Sequence, residues 1–257
     1  METLSSRKNA YIRHVRALAA DGSYRRERGE YLCDGHKTLR EALRFGAKVR
    51  SVLWKENCLT MDGLGDAEQY CATAELFDYA SPMANSPGPL FCVEIPSRRE
   101  DLRLRNAIVL ENVQDPGNVG TVVRTANAFG IDAVILVGAC ADLYQPKTAR
   151  ATMGAVFRQR VLTMELDGLC TLLKEQGLPL IGAALSERAG DIRGLDLRGA
   201  AVAVGSEGQG LSAALLERCE ETVIIPMRPD SESLNAAVAA SVLMWEMVRQ
   251  EGEKWRL

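Results

Sequence analysis

Between residues 107 and 225 the chain repeats one pattern, a short apolar run of β-forming residues followed by a stretch with helical spacing. The runs are Ala107–Leu110, Ala133–Val137, Leu180–Ala184, Ala200–Val204 and Val223–Ile225. Runs this apolar suit strands buried on both faces, and the helical stretches between them supply the cover. The pattern predicts an α/β fold built on a parallel sheet with helices on both faces.

The N-terminal third reads differently. Ile12, Val15, Leu18 and Ala19 recur at helical spacing, and a second helical pattern over His36–Phe45 is stopped by Gly46. Apolar runs at Val49–Trp54 and Leu90–Ile95 read as strands, with Ser81-Pro82 and Ser86–Pro89 as turns between them. The charged stretch Pro96–Asn106 lacks apolar periodicity and is the best linker candidate. The expected division is a small mixed α/β module, residues 1–100, and a larger parallel-sheet domain, residues 101–257.

Composition bounds the class. At 47% hydrophobic and 25% charged residues this is an ordinary globular chain. Its most apolar run, Leu234–Val248, is broken by Asn235, Ser241 and Glu246, so no membrane span is expected, and the polar first residues give no signal peptide. Seven cysteines without a C-x-x-C pair argue against a metal site or a disulfide framework, and point to reduced thiols in a cytoplasmic protein. Net charge is −3, yet residues 1–28 are basic, with Arg7, Lys8, Arg13, Arg16, Arg25, Arg26 and Arg28 against Glu2, Asp21 and Glu27. That local charge fits contact with phosphates, and equally fits an ordinary solvated helix face. The last helical pattern, about Ser233 to Gln250, is apolar nearly all round. Such a helix must be covered on most sides, which makes a second copy of the chain the expected partner.

Three segments carry candidate chemistry, each beginning where a strand ends, the place where open α/β sheets bind ligands. In the first, Leu110 to Gly130, Pro116-Gly117 turns the chain into a helix. Asn118 reads as a cap at or before its start. Arg124 lies among Val122, Val123, Ala126, Ala128 and Phe129, where a guanidinium calls for an anionic or polar partner unless it is simply a surface arginine.

The second segment, Ala201 to Ser212, is a strand, a glycine-rich loop and a helix start. Gly205 and Gly210 have P-loop spacing, but Leu211 stands where that motif needs lysine, and the order Gly205, Gly208, Gly210 is not the dinucleotide fingerprint. Glu207 would also repel a polyphosphate. What remains is a backbone cradle with one carboxylate, suited to a ligand without phosphates such as S-adenosylmethionine; a purely structural turn is the other reading. The third segment runs from Val223 to Ser241. Ser233 or Asn235 can cap the last helix, which leaves the other free to meet a ligand.

In this order the segments closely resemble the three motifs of the SpoU/TrmH family of RNA methyltransferases: Asn118 to Arg124 with Thr125, then Gly205-Ser-Glu-Gly-Gln-Gly-Leu-Ser212, then Ile225-Pro-Met through Ser233-Leu-Asn235. Pro146 to Phe157 is similar to the family's connecting segment, and residues 1–100 more loosely resemble its L30e-like RNA-binding domain. The resemblance implies a SPOUT domain with a C-terminal trefoil knot, a homodimer, and transfer of a methyl group from S-adenosylmethionine to an RNA ribose 2′-hydroxyl. It further implies cofactor binding by main-chain groups at Gly205, Ile225 and Leu234, and active-site roles for Arg124, Asn118, Glu207, Ser233 and Asn235. Because a guanidinium stays protonated, Arg124 is expected to bind the adjacent phosphate and stabilise the developing oxyanion rather than act as a base.

The resemblance favours ribosomal over transfer RNA. Asp34-Gly35 departs from the family's usual Glu-Gly, which bears on substrate identity more than on reaction type. A non-catalytic RNA-binding protein that keeps the fold is the competing class; intact Arg124, Glu207 and Asn235 count against it. His14 and His36, the only histidines, both fall in the first module and leave no hydrolytic triad in the second.

Overall fold

The structure, a computed structural model, describes residues 1–96, 103–185, 189–228 and 233–252. The chain forms two compact units, Met1–Arg99 with Asp142–Arg158, and Glu100–Ala141 with Gln159–Leu257.

The N-terminal unit contains β1 (Glu2–Leu4), α1 (Ala10–Ala20), α2 (Gly22–Arg28), β2 (Glu30–Asp34), α3 (His36–Arg44), β3 (Val49–Lys55), β4 (Glu68–Ala72), α4 (Ala74–Ala80) and β5 (Leu90–Glu94). Its strands form one mixed sheet ordered β1-β4-β3-β5-β2, in which β5 runs antiparallel to both neighbours. The apolar stripe of α1 does what its spacing predicts: Ile12, Val15 and Leu18 are fully buried, in one cluster with Leu32, Leu53, Phe77 and Cys92. Asn9 caps this helix, its side chain accepting from the Tyr11 N–H at 2.8 Å.

The C-terminal unit opens with β6 (Ala107–Glu111), α5 (Pro116–Phe129) and β7 (Ala133–Val137). The chain then passes through Asp142–Arg158, which holds α6 (Pro146–Ala151), and returns as β8 (Val161–Met164), α7 (Leu166–Gln176) and β9 (Leu180–Ala183). It ends with β10 (Gly190–Asp191), β11 (Ala201–Val204), α8 (Ala213–Leu216), β12 (Glu221–Ile224) and α9 (Ala236–Gln250). Among the described residues seven parallel strands are ordered β10-β12-β9-β11-β6-β7-β8. Every residue of β6, β7 and β11 is buried, as expected for strands covered on both faces. On one side α7 contributes Leu169 and Leu173 to a cluster with Val109, Ile135 and Ala203.

A single cut near residue 100 does not describe this division, because Asp142–Arg158 groups with the N-terminal unit. The cause is local. Arg25, buried on α2, donates to Asp142 at 2.7 Å, Arg150 donates to Asp34 at 3.2 Å and Arg158 donates to Glu41 at 2.7 Å. The Tyr144 ring lies 4.7 Å from that of Tyr31. The segment similar to the family's connecting stretch thus finds its partners on earlier elements, and no linker composition announces such a return.

Helices α5 and α9 lie side by side, with the rings of Phe129 and Trp245 5.7 Å apart towards their C-terminal ends. The cover on α9 is incomplete. Ala236, Ala237, Ala240, Leu243, Met244 and Met247 are buried, whereas Val238, Val242 and Trp245 remain exposed.

Candidate functional site

The ends of β6, β11 and β12 release the three segments singled out in the sequence. After β6 the chain turns through Asp115, whose carboxylate accepts the Asn118 N–H at 2.8 Å and caps α5. This corrects the reading of Asn118 as the cap. Asn118 sits inside the first turn, and its side chain is free to work elsewhere.

It works on Glu207. The Glu207 Oε1 accepts from Asn118 Nδ2 at 2.8 Å, from Asn235 Nδ2 at 2.5 Å and from the Ala236 N–H at 3.3 Å. Asn235 Nδ2 also donates to Asn118 Oδ1 at 3.0 Å. Asn118, Glu207 and Asn235, from the three segments, are thereby tied into one cluster. Asn235 does this while capping α9, its Oδ1 accepting from the Ala237 and Val238 N–H groups. Capping and site duty, expected to fall to two residues, are carried by the two ends of one amide, and the helix starts at Ala236 rather than Ser233 for that reason.

The glycine-rich loop folds back on itself. Ser206 and Gly210 form an isolated bridge, with the Gly210 N–H donating to the Ser206 carbonyl at 2.8 Å. A Cβ on Gly205 would stand 2.0 Å from the Gly210 carbonyl carbon and oxygen, so glycine is required there by backbone lying against backbone. Gly208 has open space around it. The other residues proposed to contact cofactor, Ile225 and Leu234, are half-buried.

Arg124 and Ser233 stand apart from the cluster. Both are exposed, and neither has a hydrogen bond or ion pair among the described residues. None of the five N–H donors of Arg124 is engaged by another described residue. Beside the cluster, an open groove of about 390 Å³ between α5 and α9 is lined by Asn118, Thr121, Asn235, Val238, Val242 and Trp245.

Glu111 is not among the residues that the sequence motifs single out. It closes β6, is buried, and accepts both the N–H (2.7 Å) and the hydroxyl (2.6 Å) of Ser212 at the far end of the glycine-rich loop. A glutamate ending an otherwise apolar, fully buried strand was the available signal, since a buried carboxylate needs partners. The arrangement as a whole offers a carboxylate held by amides and a tight backbone loop. The loop itself contains no cation, which suits a neutral or cationic ligand better than a polyphosphate.

The model of the SpoU rRNA Methylase family matches residues 105–245. Among curated relatives, the chain is 30% identical over 247 residues to the 23S rRNA (guanosine(2553)-2′-O)-methyltransferase RlmP of Bacillus subtilis, covering 96% of this chain and 99% of that one. It is 27% identical over 266 residues to the 23S rRNA (uridine(2479)-2′-O)-methyltransferase of Streptomyces viridochromogenes, covering 95% and 91%. Among solved structures, it matches the SpoU methyltransferase AviRb from Streptomyces viridochromogenes in complex with the cofactor AdoMet, with TM-score 0.82 and 26% identity over 95% of this chain and 99% of that one.

Proposed function

Because the chain belongs to the SpoU rRNA methylase family, we propose that it transfers a methyl group from S-adenosylmethionine to a ribose 2′-hydroxyl in ribosomal RNA of the large subunit. The observation that carries this reading is the union of Asn118, Glu207 and Asn235 next to the closed loop of Gly205. The relatives of matching length that act on 23S rRNA support the choice of RNA. The reading places the enzyme in the cytoplasm with that RNA.

The residues present fit the cofactor. Main-chain groups at Gly205, Ile225 and Leu234 would hold it, and the loop offers close backbone approach and carries no lysine or arginine from Gly205 to Ser212. S-adenosylmethionine supplies, when bound, an electrophilic methyl group for the 2′-oxygen. The chain's own part is positioning and charge. Glu207 gathers Asn118 and Asn235 into a fixed pair of amides, so that little reorganisation remains when substrate arrives. Arg124, exposed and unengaged among the described residues, binds the phosphate next to the target ribose and stabilises negative charge developing on the 2′-oxygen. Ser233, also exposed, hydrogen-bonds the RNA.

The N-terminal unit is read as an L30e-like module that selects the RNA, supported by exposed Arg13, Arg16, Arg26 and Arg28. A trefoil knot in the C-terminal unit is what the likeness of its three motifs to the SpoU/TrmH family implies, and the all-parallel strand order is compatible with it. A homodimer is supported by the face of α9 that stays apolar and open, with Val238 48%, Val242 37% and Trp245 56% exposed. Trp245→Glu is expected to yield a folded monomer by sedimentation at concentrations where the wild type is a dimer. A wild type that sediments as a monomer would remove this element of the reading.

The deciding experiment is methyl transfer from labelled S-adenosylmethionine to purified ribosomal and transfer RNA, with the product mapped by resistance of one phosphodiester to alkali. Label in the large-subunit RNA at an alkali-resistant position is the expected result. Label on a base, or cofactor binding without transfer to any RNA, would overturn the assignment.

A further inference from the structure

Glu111 is only 4% exposed, and among the described residues no cation pairs with it. Both of its carboxylate oxygens are spent on one residue: Oε2 accepts the Ser212 N–H and Oε1 accepts the Ser212 hydroxyl. The Ser212 oxygen in turn accepts the Leu215 N–H at 3.2 Å, which anchors the start of α8. Strands β6 and β11 are in register with Leu110 beside Val204, so the loop that leaves at Gly205 returns at Ser212 close to its point of departure.

The β6-to-α5 segment and the glycine-rich loop therefore grip each other twice, in opposite senses. Glu111 of the segment holds Ser212 of the loop, and Glu207 of the loop holds Asn118 of the segment. Between the two grips lie Gly208 and Gly210, whose conformational freedom would otherwise leave the loop loosely defined.

We propose that Glu111 is a positioning residue for the cofactor site: by pinning the Ser212 end of the loop it fixes the backbone at Gly205 and the placement of Glu207. The proposal rests on the reading of residues 205–212 as the cofactor cradle. Glu111 acts through the loop, so its removal should weaken cofactor binding while leaving the phosphate contact assigned to Arg124 intact.

The test compares Glu111→Gln, Ser212→Ala, their combination and Ser212→Thr, with S-adenosylmethionine as the calorimetric probe and steady-state methyl transfer as the second readout. Glutamine keeps an oxygen for the Ser212 N–H but faces the hydroxyl with a neutral N–H, so the charge-assisted bond from the hydroxyl is lost. The expected result is a rise of about tenfold in Kd and KM for S-adenosylmethionine, at unchanged KM for RNA, from loss of a hydrogen bond to a charged group. The double variant should be no weaker than the weaker single one, because both remove the same interaction. Ser212→Thr keeps both donors and should retain wild-type affinity.

Wild-type cofactor affinity in folded Glu111→Gln and Ser212→Ala, with or without a lower Tm, would overturn the positioning role. An equal loss in Ser212→Thr would do the same. If Glu111→Gln does not fold, the Ala and Thr variants of Ser212 decide the matter alone. A wild-type protein that fails to bind S-adenosylmethionine would instead overturn the cradle reading on which the proposal stands.

Discussion

Gly205→Ala is expected to abolish measurable S-adenosylmethionine binding and to lower stability by about 3 kcal/mol or more, a cost typical of forcing atoms into a closed site. The added Cβ would lie 2.0 Å from the Gly210 carbonyl carbon and oxygen and 2.4 Å from the Leu211 nitrogen. All three are main-chain atoms, so no side chain can swing aside. Relief requires opening the Ser206–Gly210 bridge, and Glu207 in the same loop would move with it away from Asn118 and Asn235. Gly208→Ala is the matched control, since nothing lies within 4 Å of its added Cβ; its stability is expected to stay within about 0.5 kcal/mol of wild type. Urea denaturation and calorimetric titration of the two variants check this. A folded Gly205→Ala with wild-type affinity would mean that the loop is not the closed cradle described.

The contrast between these glycines shows where the sequence was informative. Gly205, Gly208 and Gly210 read alike as flexible positions, and only the fold separates the one jammed against backbone from the one in open space. The parallel sheet was legible because β6, β7 and β11 are buried on both faces and so read as uninterrupted apolar runs. Strands β2 (Glu-Tyr-Leu-Cys-Asp) and β4 (Glu-Gln-Tyr-Cys-Ala), with polar residues among their apolar ones, were not legible; hydrogen bonding to neighbours distant in sequence decides them. At the site, the residue types and strand-end positions of Asn118, Glu207 and Asn235 were readable, but their mutual hydrogen bonds were not. Asn118 reads as a cap from its place after Pro116-Gly117, yet Asp115, three residues earlier, takes that duty.

Arg124→Ala is expected to lower kcat for RNA methylation by about two to three orders of magnitude, the usual loss when a donor aimed at developing negative charge is removed. The same substitution should leave both stability and S-adenosylmethionine affinity near wild type. Arg124 is exposed, and its removal takes away no hydrogen bond or ion pair among the described residues. The buried side of α5 is supplied by Val119, Val122, Val123 and Ala126, which are untouched. Arg124→Lys separates charge from shape: lysine restores the positive charge but presents a single ammonium in place of a planar fork, so it should recover only part of the rate. Single-turnover kinetics with saturating cofactor, beside calorimetry on each variant, resolve the possibilities. A lysine variant with near-full rate would show that charge alone suffices and would end the bidentate phosphate role. An alanine variant that no longer binds S-adenosylmethionine would move Arg124 from the RNA side of the reaction to the cofactor side.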